Sequence, residues 1–259
     1  MAAASPAVVL CLSGHDPSGG AGLQADIEAV RAQGAHPATV VTALTVQDSR
    51  NAYAVDALPA AGVLEQAELI FEDLPVASVK IGLLGSVENI EAVTGLLARH
   101  PEVPVVLDPV LRAGGGAALA DQTQVSALLQ LLPRAAVLTP NLAEARQLAH
   151  PARTREACAE FLLAHGARRV LITGGDETES DEVLNTLHTT RGTRSWRWPR
   201  LPHRYHGSGC TLAASLAARL ALGEPLETAL ESAQRYTWET LRRAYRIGRG
   251  QYFPQRLGH

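Results

Sequence analysis

The sequence predicts an α/β fold of three layers, α/β/α, with a mostly parallel central sheet and an antiparallel hairpin at one edge. Three observations carry this. Over the first 180 residues, short and solidly apolar runs alternate with stretches of helical apolar spacing, the pattern of parallel strands buried between helices. Each apolar run stops at glycine or a polar residue: Gly14 and Asp16, Gln47 and Asp48, Gly82, Asp108-Pro109, Asn141, and Thr173-Gly174-Gly175. Beyond residue 180, the runs 183–189 and 193–198 flank Arg191-Gly192, a turn signal between antiparallel strands.

In chain order, strands are expected at 7–13, 39–46, 77–81, 103–107, 135–138 and 170–172. Helices are expected at 61–73, 87–99, 122–132, 142–149 and 155–165, and Leu23, Ile27 and Val30 place another after the first strand. Two helices close the chain, from Gly209 to about Leu222 and from about Leu226 to Tyr245, each stopped by a glycine. No linker, low-complexity tract or long repeat interrupts this, so residues 1–259 read as one domain. In an open parallel sheet the ligand crevice lies outside the carboxyl ends of the strands. The polar and glycine residues therefore share one binding rim.

Composition narrows the partners. With 259 residues, 46% of them hydrophobic, the chain can bury an ordinary core. A net charge of -3 gives no reason to expect nucleic acid or an acidic membrane, and no run approaches the ~18 apolar residues of a span. Small molecules are the expected partners. Cys11, Cys158 and Cys210 are too scattered for a disulfide framework or a thiolate zinc site. The apolar start, Met1 to Leu12, lacks a cationic leader region. A reducing, cytoplasmic location is expected, and the hairpin edge near Arg191 leaves a homodimer open.

Two glycine loops carry the chemistry. Gly207-Ser208-Gly209-Cys210-Thr211 opens a long Ala/Leu helix, so bare backbone N–H groups and the positive helix end form a site for a phosphate. Gly14-His15-Asp16-Pro17-Ser18-Gly19-Gly20-Ala21-Gly22 joins the first strand to its helix. Gly20-x-Gly22-x-x-Ala25 with Asp48 satisfies a loose dinucleotide fingerprint, but that reading leaves Gly207 unused, and no Gly-Lys-Ser/Thr makes a Walker loop. Asp26 flanks the Leu23/Ile27/Val30 stripe. It is either a solvated acid near a helix start or a carboxylate turned inward to meet a ligand amine. Gln47 either caps a turn or reads a heterocycle. At a helix N-terminus the Cys210 thiol is expected to have a lowered pKa, and His206 is expected to be a surface or turn residue.

Together these stretches resemble the hydroxymethylpyrimidine/phosphomethylpyrimidine kinases of thiamin biosynthesis, in the ribokinase-like superfamily. The resemblance runs through Ser13 to Asp26, Thr42 to Gln47, Lys80 to Leu84, Leu107 to Val110, Thr139 to Glu144 and Gly207 to Thr211. It implies a ribokinase-like fold and transfer of the ATP γ-phosphate, with Mg2+, onto the hydroxymethyl group of 4-amino-5-hydroxymethyl-2-methylpyrimidine, then onto the monophosphate. It also implies that Asp26 and Gln47 bond the aminopyrimidine, with Gly14, Ala21, Leu83 and Val110 around it. Gly207, Ser208 and Gly209 would hold the transferred phosphoryl, and Cys210 occupies the place of a catalytic Asp in sugar-kinase relatives. Asp108 and Glu144 would meet the metal. ATP would lie along Asn141, Thr173 and Gly175, although Asn141 can equally cap its helix.

The sequence departs from that family where Leu111 to Gly116 lacks a lysine, and where Thr173 and Arg249 replace lysines. The second transfer is the one these losses would weaken. Pyridoxal kinase activity and non-catalytic pyrimidine binding are the alternative readings.

Overall fold

The computed structural model describes residues 5–177 and 180–258. The first four residues of the apolar start lie outside the described residues. Nine strands form one sheet: β1 (Val8–His15), β2 (His36–Gln47), β3 (Ala52–Ala57), β4 (Val76–Ile81), β5 (Val105–Leu107), β6 (Val137–Leu138), β7 (Val170–Ile172), β8 (Glu182–Thr189) and β9 (Gly192–Pro199). Their order is β3-β2-β1-β4-β5-β6-β7-β8-β9. The six central strands are parallel, while β3 at one edge and β8-β9 at the other run antiparallel. The expected hairpin is therefore present, but it turns at Thr190-Arg191, one residue earlier than expected, with Gly192 already paired to Thr189 as the first residue of β9.

Side chains that alternate along each strand feed two cores. Val8, Leu10 and Leu12 pack under α2 (Ala60–Asp73), α3 (Val87–Ala98), α4 (Gln122–Leu131), α5 (Leu142–Leu148) and α6 (Arg155–Ala164), whereas Val9 and Cys11 face the opposite helices. Those are α1 (Gly22–Ala32), α7 (Ser208–Ala221) and α8 (Leu226–Arg242). Every residue from Cys210 to Ala218 is buried, and the four alanines among them let α7 lie close against the sheet. Burial on both faces explains why these strands read as unbroken apolar runs.

Three elements differ from the expectation. β3 was not foreseen, because Ala-Tyr-Ala-Val-Asp-Ala carries little strand preference. It forms by pairing with the end of β2 that projects beyond β1, Gln47 lying opposite Ala52. β2 itself starts at His36 instead of Thr39, in register with Val8 of β1. The last helix ends at Arg242 and not Tyr245, because the Tyr245 backbone exchanges hydrogen bonds of 3.0 and 2.8 Å with Phe253.

β1 has β2 on one side and β4 on the other, so the winding of the sheet reverses there. That reversal opens a crevice at the carboxyl ends of β1 and β4. Asn89 of α3 fixes the connections on the α2–α6 side. Its fully buried amide donates to the carbonyls of Leu84 (2.8 Å), Thr42 (3.1 Å) and Leu58 (3.2 Å), which belong to three separate segments. Replacing Asn89 by Ala leaves the Leu84 and Leu58 carbonyls without a donor, while Thr42 keeps the Leu58 N–H (2.9 Å), and is expected to cost about 2 kcal/mol. The midpoint of urea unfolding measures this; a midpoint equal to that of the native chain would show that water satisfies the carbonyls.

Candidate active site

The crevice is a cleft of about 670 Å3. Its floor is made where two glycine loops interlock. Gly207 caps α7 in a left-handed conformation (φ 77°), and a side-chain carbon there would lie 2.1 Å from the Gly20 carbonyl oxygen. Conversely, a carbon on Gly20 would lie 2.1 Å from the His206 ring. Only bare backbone on both loops allows this approach.

Two buried polar contacts hold the loops together. The Asp16 carboxylate accepts from the Ser18 and Ala21 backbone N–H groups, both at 2.8 Å, and pairs with His206 Nε2 at 2.7 Å. Burial alone would raise the Asp16 carboxyl, but the hydrogen bond and charge of His206 and the Ser18 contacts outweigh it and hold the pKa down to about 2. Arg256 forms the second clamp. Its guanidinium donates to Thr211 Oγ1 (2.8 Å), to Glu28 (3.0 Å) and to the Gly20 carbonyl. His206 thus stands in the turn before α7, one of the two places expected for it, but is buried there and not on the surface, while no local pattern pointed to Arg256.

Beside the anion site stand two buried carboxylates. Asp108 follows β5, and its Oδ2 has no hydrogen-bond partner among the described residues. Glu144 lies in the first turn of α5, where Asn141 caps: Asn141 Oδ1 accepts from the Glu144 N–H (2.9 Å), and Glu144 accepts from the Asn141 and Leu111 N–H groups (3.0 and 3.3 Å). Burial lifts both carboxyls above their ordinary range, and the charge of Asp108 lifts Glu144 further. Among the described residues no three His, Cys, Asp or Glu side chains gather as a metal cage. Two buried carboxylates with a free oxygen nonetheless suit a hard cation that takes its remaining ligands from water and phosphate.

Cys210 departs from the expectation. Its side chain is buried, and burial pushes the thiol up to about 12, helped by the charges of Asp108 and Asp26 and opposed by Lys80. The helix end does not offset this desolvation.

Gly14, Ala21, Gln47, Leu83 and Val110 line one half of the cleft. Thr173 and Gly175 line the other, facing Trp198, Gln234 and Trp238. There Gln234 Oε1 accepts from Asn185 (2.9 Å) and the Trp198 indole (3.2 Å). Arg200 holds the Gly174 and Gly175 carbonyls (3.4 and 3.5 Å), fixing the loop after β7. Gly207, Ser208, Gly209, Cys210, Asp108, Asn141 and Glu144 lie between the halves. Of the site residues that the family resemblance implies, only Asp26 is not on the cleft surface. It is wholly buried against Lys80, which neutralises it, so the ligand amine expected there is replaced by a lysine of the chain itself. Asp48, the acid of the dinucleotide fingerprint, is occupied by Arg50.

A model of the family described as phosphomethylpyrimidine kinase matches residues 16–255. The chain belongs to the phosphomethylpyrimidine kinase family. It is 36% identical to the hydroxymethylpyrimidine/phosphomethylpyrimidine kinase of Haemophilus influenzae, covering 93% of each chain. It is 40% identical to a thiamine biosynthesis bifunctional protein of Geobacter sulfurreducens, where it spans 93% of its own length and 50% of that longer relative. The fold is shared with a Bacillus subtilis pyridoxal kinase in an ADP complex, with a TM-score of 0.89, 27% identity and coverage of 97% and 98% of the two chains. These likenesses confirm the ribokinase-like architecture expected from the sequence.

For this family member the Asp16 pair has a pH signature. A carboxyl held near 2 instead of its ordinary 3.8 contributes about 2 kcal/mol of stability, fully present above pH 4 and lost as pH falls towards 2. Acid titration of unfolding free energy should show this loss, and Asp16→Asn should flatten that part of the curve. An unchanged curve would mean that Asp16 is not paired in solution.

Proposed function

We propose that the chain transfers the γ-phosphoryl of ATP, with Mg2+, to the hydroxymethyl group of 4-amino-5-hydroxymethyl-2-methylpyrimidine, and then to the resulting monophosphate. The observation that carries this reading is the meeting, in one cleft, of the Gly207–Gly209 anion site, the Asp108/Glu144 carboxylates and the small pocket at Gln47. Similarity to named hydroxymethylpyrimidine/phosphomethylpyrimidine kinases over almost the whole chain supports it.

Phosphoryl transfer asks a protein chiefly for positioning and charge neutralisation. The nucleotide lies along Asn141, Thr173 and Gly175 with its base towards Trp198 and Trp238, and the terminal phosphate reaches the N–H groups of Gly207, Ser208 and Gly209. Asp108 and Glu144 would hold Mg2+, which when bound neutralises charge on the phosphate oxygens. Gln47 presents an amide to the amino and ring nitrogens of the pyrimidine, and Leu83 and Val110 cover its faces. The hydroxymethyl group then points at the anion site. Because the transition state is loose, the hydroxyl keeps its proton until late. A neutral Cys210 is therefore sufficient as a small side chain at the mouth of the site.

The likeness to a pyridoxal kinase supports a second acceptor, pyridoxal, whose hydroxymethyl pyridine has a similar outline. Purified protein with ATP-Mg and either acceptor, followed by product mass, separates the readings. Phosphorylated pyrimidine is expected in both mono- and diphosphate forms; a bound pyrimidine that is never phosphorylated would refute the kinase reading. Gln47→Ala should raise the pyrimidine KM about tenfold with little change in kcat. Cys210→Ala should lower kcat less than about tenfold, whereas Asp108→Asn should lower it about 100-fold or more. A deep loss on Cys210→Ala would instead make the thiol the proton acceptor.

A further inference from the structure

β4 reads Val76-Ala77-Ser78-Val79-Lys80-Ile81. Val79 and Ile81 join the core under α2–α6, so alternation sends Ser78 and Lys80 to the face beneath α1 and α7. That face is packed with alanine, leucine and valine. Ser78 meets it by donating to the Ala217 carbonyl at 2.7 Å. Lys80 cannot be satisfied in that way, and Asp26 of α1 meets it instead. Nζ lies 2.8 Å from Oδ1 and 2.9 Å from Oδ2, and neither side chain is exposed.

A lone buried ion pair is a poor source of stability, because desolvating two charges costs about as much as their attraction returns. Its position is more informative. A carbon added to Gly82 would lie 2.6 Å from Lys80 Nζ and 2.3 Å from Ser13 Oγ. The ammonium therefore reaches forward along β4 to the carboxyl ends of β1 and β4, immediately behind the cleft wall at Ser13. Ile81 pairs with Leu107, and the Asp108 N–H donates to the Ile81 carbonyl (2.9 Å), so Asp108 stands beside Gly82 at the strand ends towards which the ammonium reaches. Burial raises both the Asp108 carboxyl and the Cys210 thiol, and the charge of Lys80 lowers both against it. In a site closed to water, a fixed charge acts on such neighbours with little screening.

We propose that Lys80 is a positioning residue for phosphoryl transfer: held by Asp26, its ammonium acts through its charge, without bonding to them, to orient the Asp108 carboxylate and the Cys210 side chain beneath the start of α7, and it provides a permanent positive charge behind the phosphoryl in flight. It does not line the cleft and touches no reacting atom. The proposal rests on the kinase reading above.

Three variants test it: Lys80→Met, Asp26→Asn and the two combined. Lys80→Met alone strands a buried carboxylate and is expected to lower the melting temperature. The combined variant removes both charges and should melt at or above the native temperature. If the pair served only the fold, activity would return together with stability. The expected result is that kcat in the combined variant stays down about 100-fold, with KM for ATP and pyrimidine within about threefold. Asp26→Asn keeps the ammonium and should retain kcat within about fivefold of native.

Native kcat in the combined variant, or a loss in Asp26→Asn as deep as in Lys80→Met, overturns the proposal. A native chain without turnover refutes the kinase reading separately. Crystal structures of the native chain and the combined variant give a readout independent of activity. The Asp108 carboxylate should leave its native position in the variant, and an unmoved Asp108 overturns the positioning role.

Discussion

The approach of Gly207 to the Gly20 carbonyl constrains the rest of the cleft. Two loops from opposite ends of the chain must meet backbone to backbone before α7 can present its first N–H groups to an anion. No side chain can be inserted between them, since any carbon at either glycine would overlap the other loop. The loops also cannot attract each other, because each exposes polar backbone that water would solvate. Asp16-His206 and Arg256 supply that attraction from the flanks. Arg256 has the more demanding part, as one guanidinium joins the first loop at Gly20, α1 at Glu28 and α7 at Thr211. Its five donors in a fixed plane suit such a junction better than a lysine would.

The charge balance behind the anion site points to what completes it. Three carboxylates, Asp26, Asp108 and Glu144, are buried there with one ammonium, Lys80. Asp26 takes up the lysine, and burial holds Asp108 and Glu144 above the ordinary carboxylate range, with the charge of Asp26 adding to Asp108 and that of Asp108 to Glu144. Such an arrangement is unfavourable in the bare protein and would become favourable with a dication and an anionic phosphate bound, as the proposed function requires. The protein then holds opposite charges apart until the ligands join them, so the strain lies in the charges and not in the backbone.

Much of this could be read in the sequence, for identifiable reasons. Parallel strands between helices leave solid apolar runs, and the residues at their ends must face one crevice; Gln47, Asp108, Asn141 and Thr173 follow from that rule, and Gly207 from the glycine loop that opens α7. Local pattern failed where a partner lies far along the chain. Nothing near Asp16 announces His206, 190 residues away, and a lone arginine at position 256 carries no local signal. β3 depends on the overhang of β2, which a strand-by-strand reading does not see. For Lys80 a signal existed. Ser78 and Lys80 alternate with apolar residues in a strand that the βαβ pattern requires to be covered on both faces, so a buried lysine with a carboxylate on a covering helix, here Asp26 of α1, was deducible. The thiol of Cys210 differs from the expectation because burial costs the thiolate more than the helix end returns.

The two ends of the cleft differ in how firmly they are held, and that difference bears on how a kinase keeps water from the phosphoryl group. The anion site is fixed by buried ionic contacts. The segment over the acceptor pocket, where Arg112 bridges to Ala118, is held by weak bonds: Gln251 to the Gly114 carbonyl and the Ala117 N–H to Asn51, each at 3.3 Å. Both partners lie on turns that themselves meet, since Ser49 accepts from the Gly250 and Gln251 N–H groups at 3.0 and 2.8 Å. Opening the cover thus breaks two marginal hydrogen bonds and leaves the phosphate site intact. Under the proposed kinase reading, an acceptor would then be able to enter and leave without disturbing the site at Gly207. The glycines at 114 and 115 serve this closing surface, where Gln251 and the Arg50 carbonyl approach too closely for a side chain. The loop that lacks a lysine therefore meets its neighbours at Gly114 and Gly115 with bare backbone.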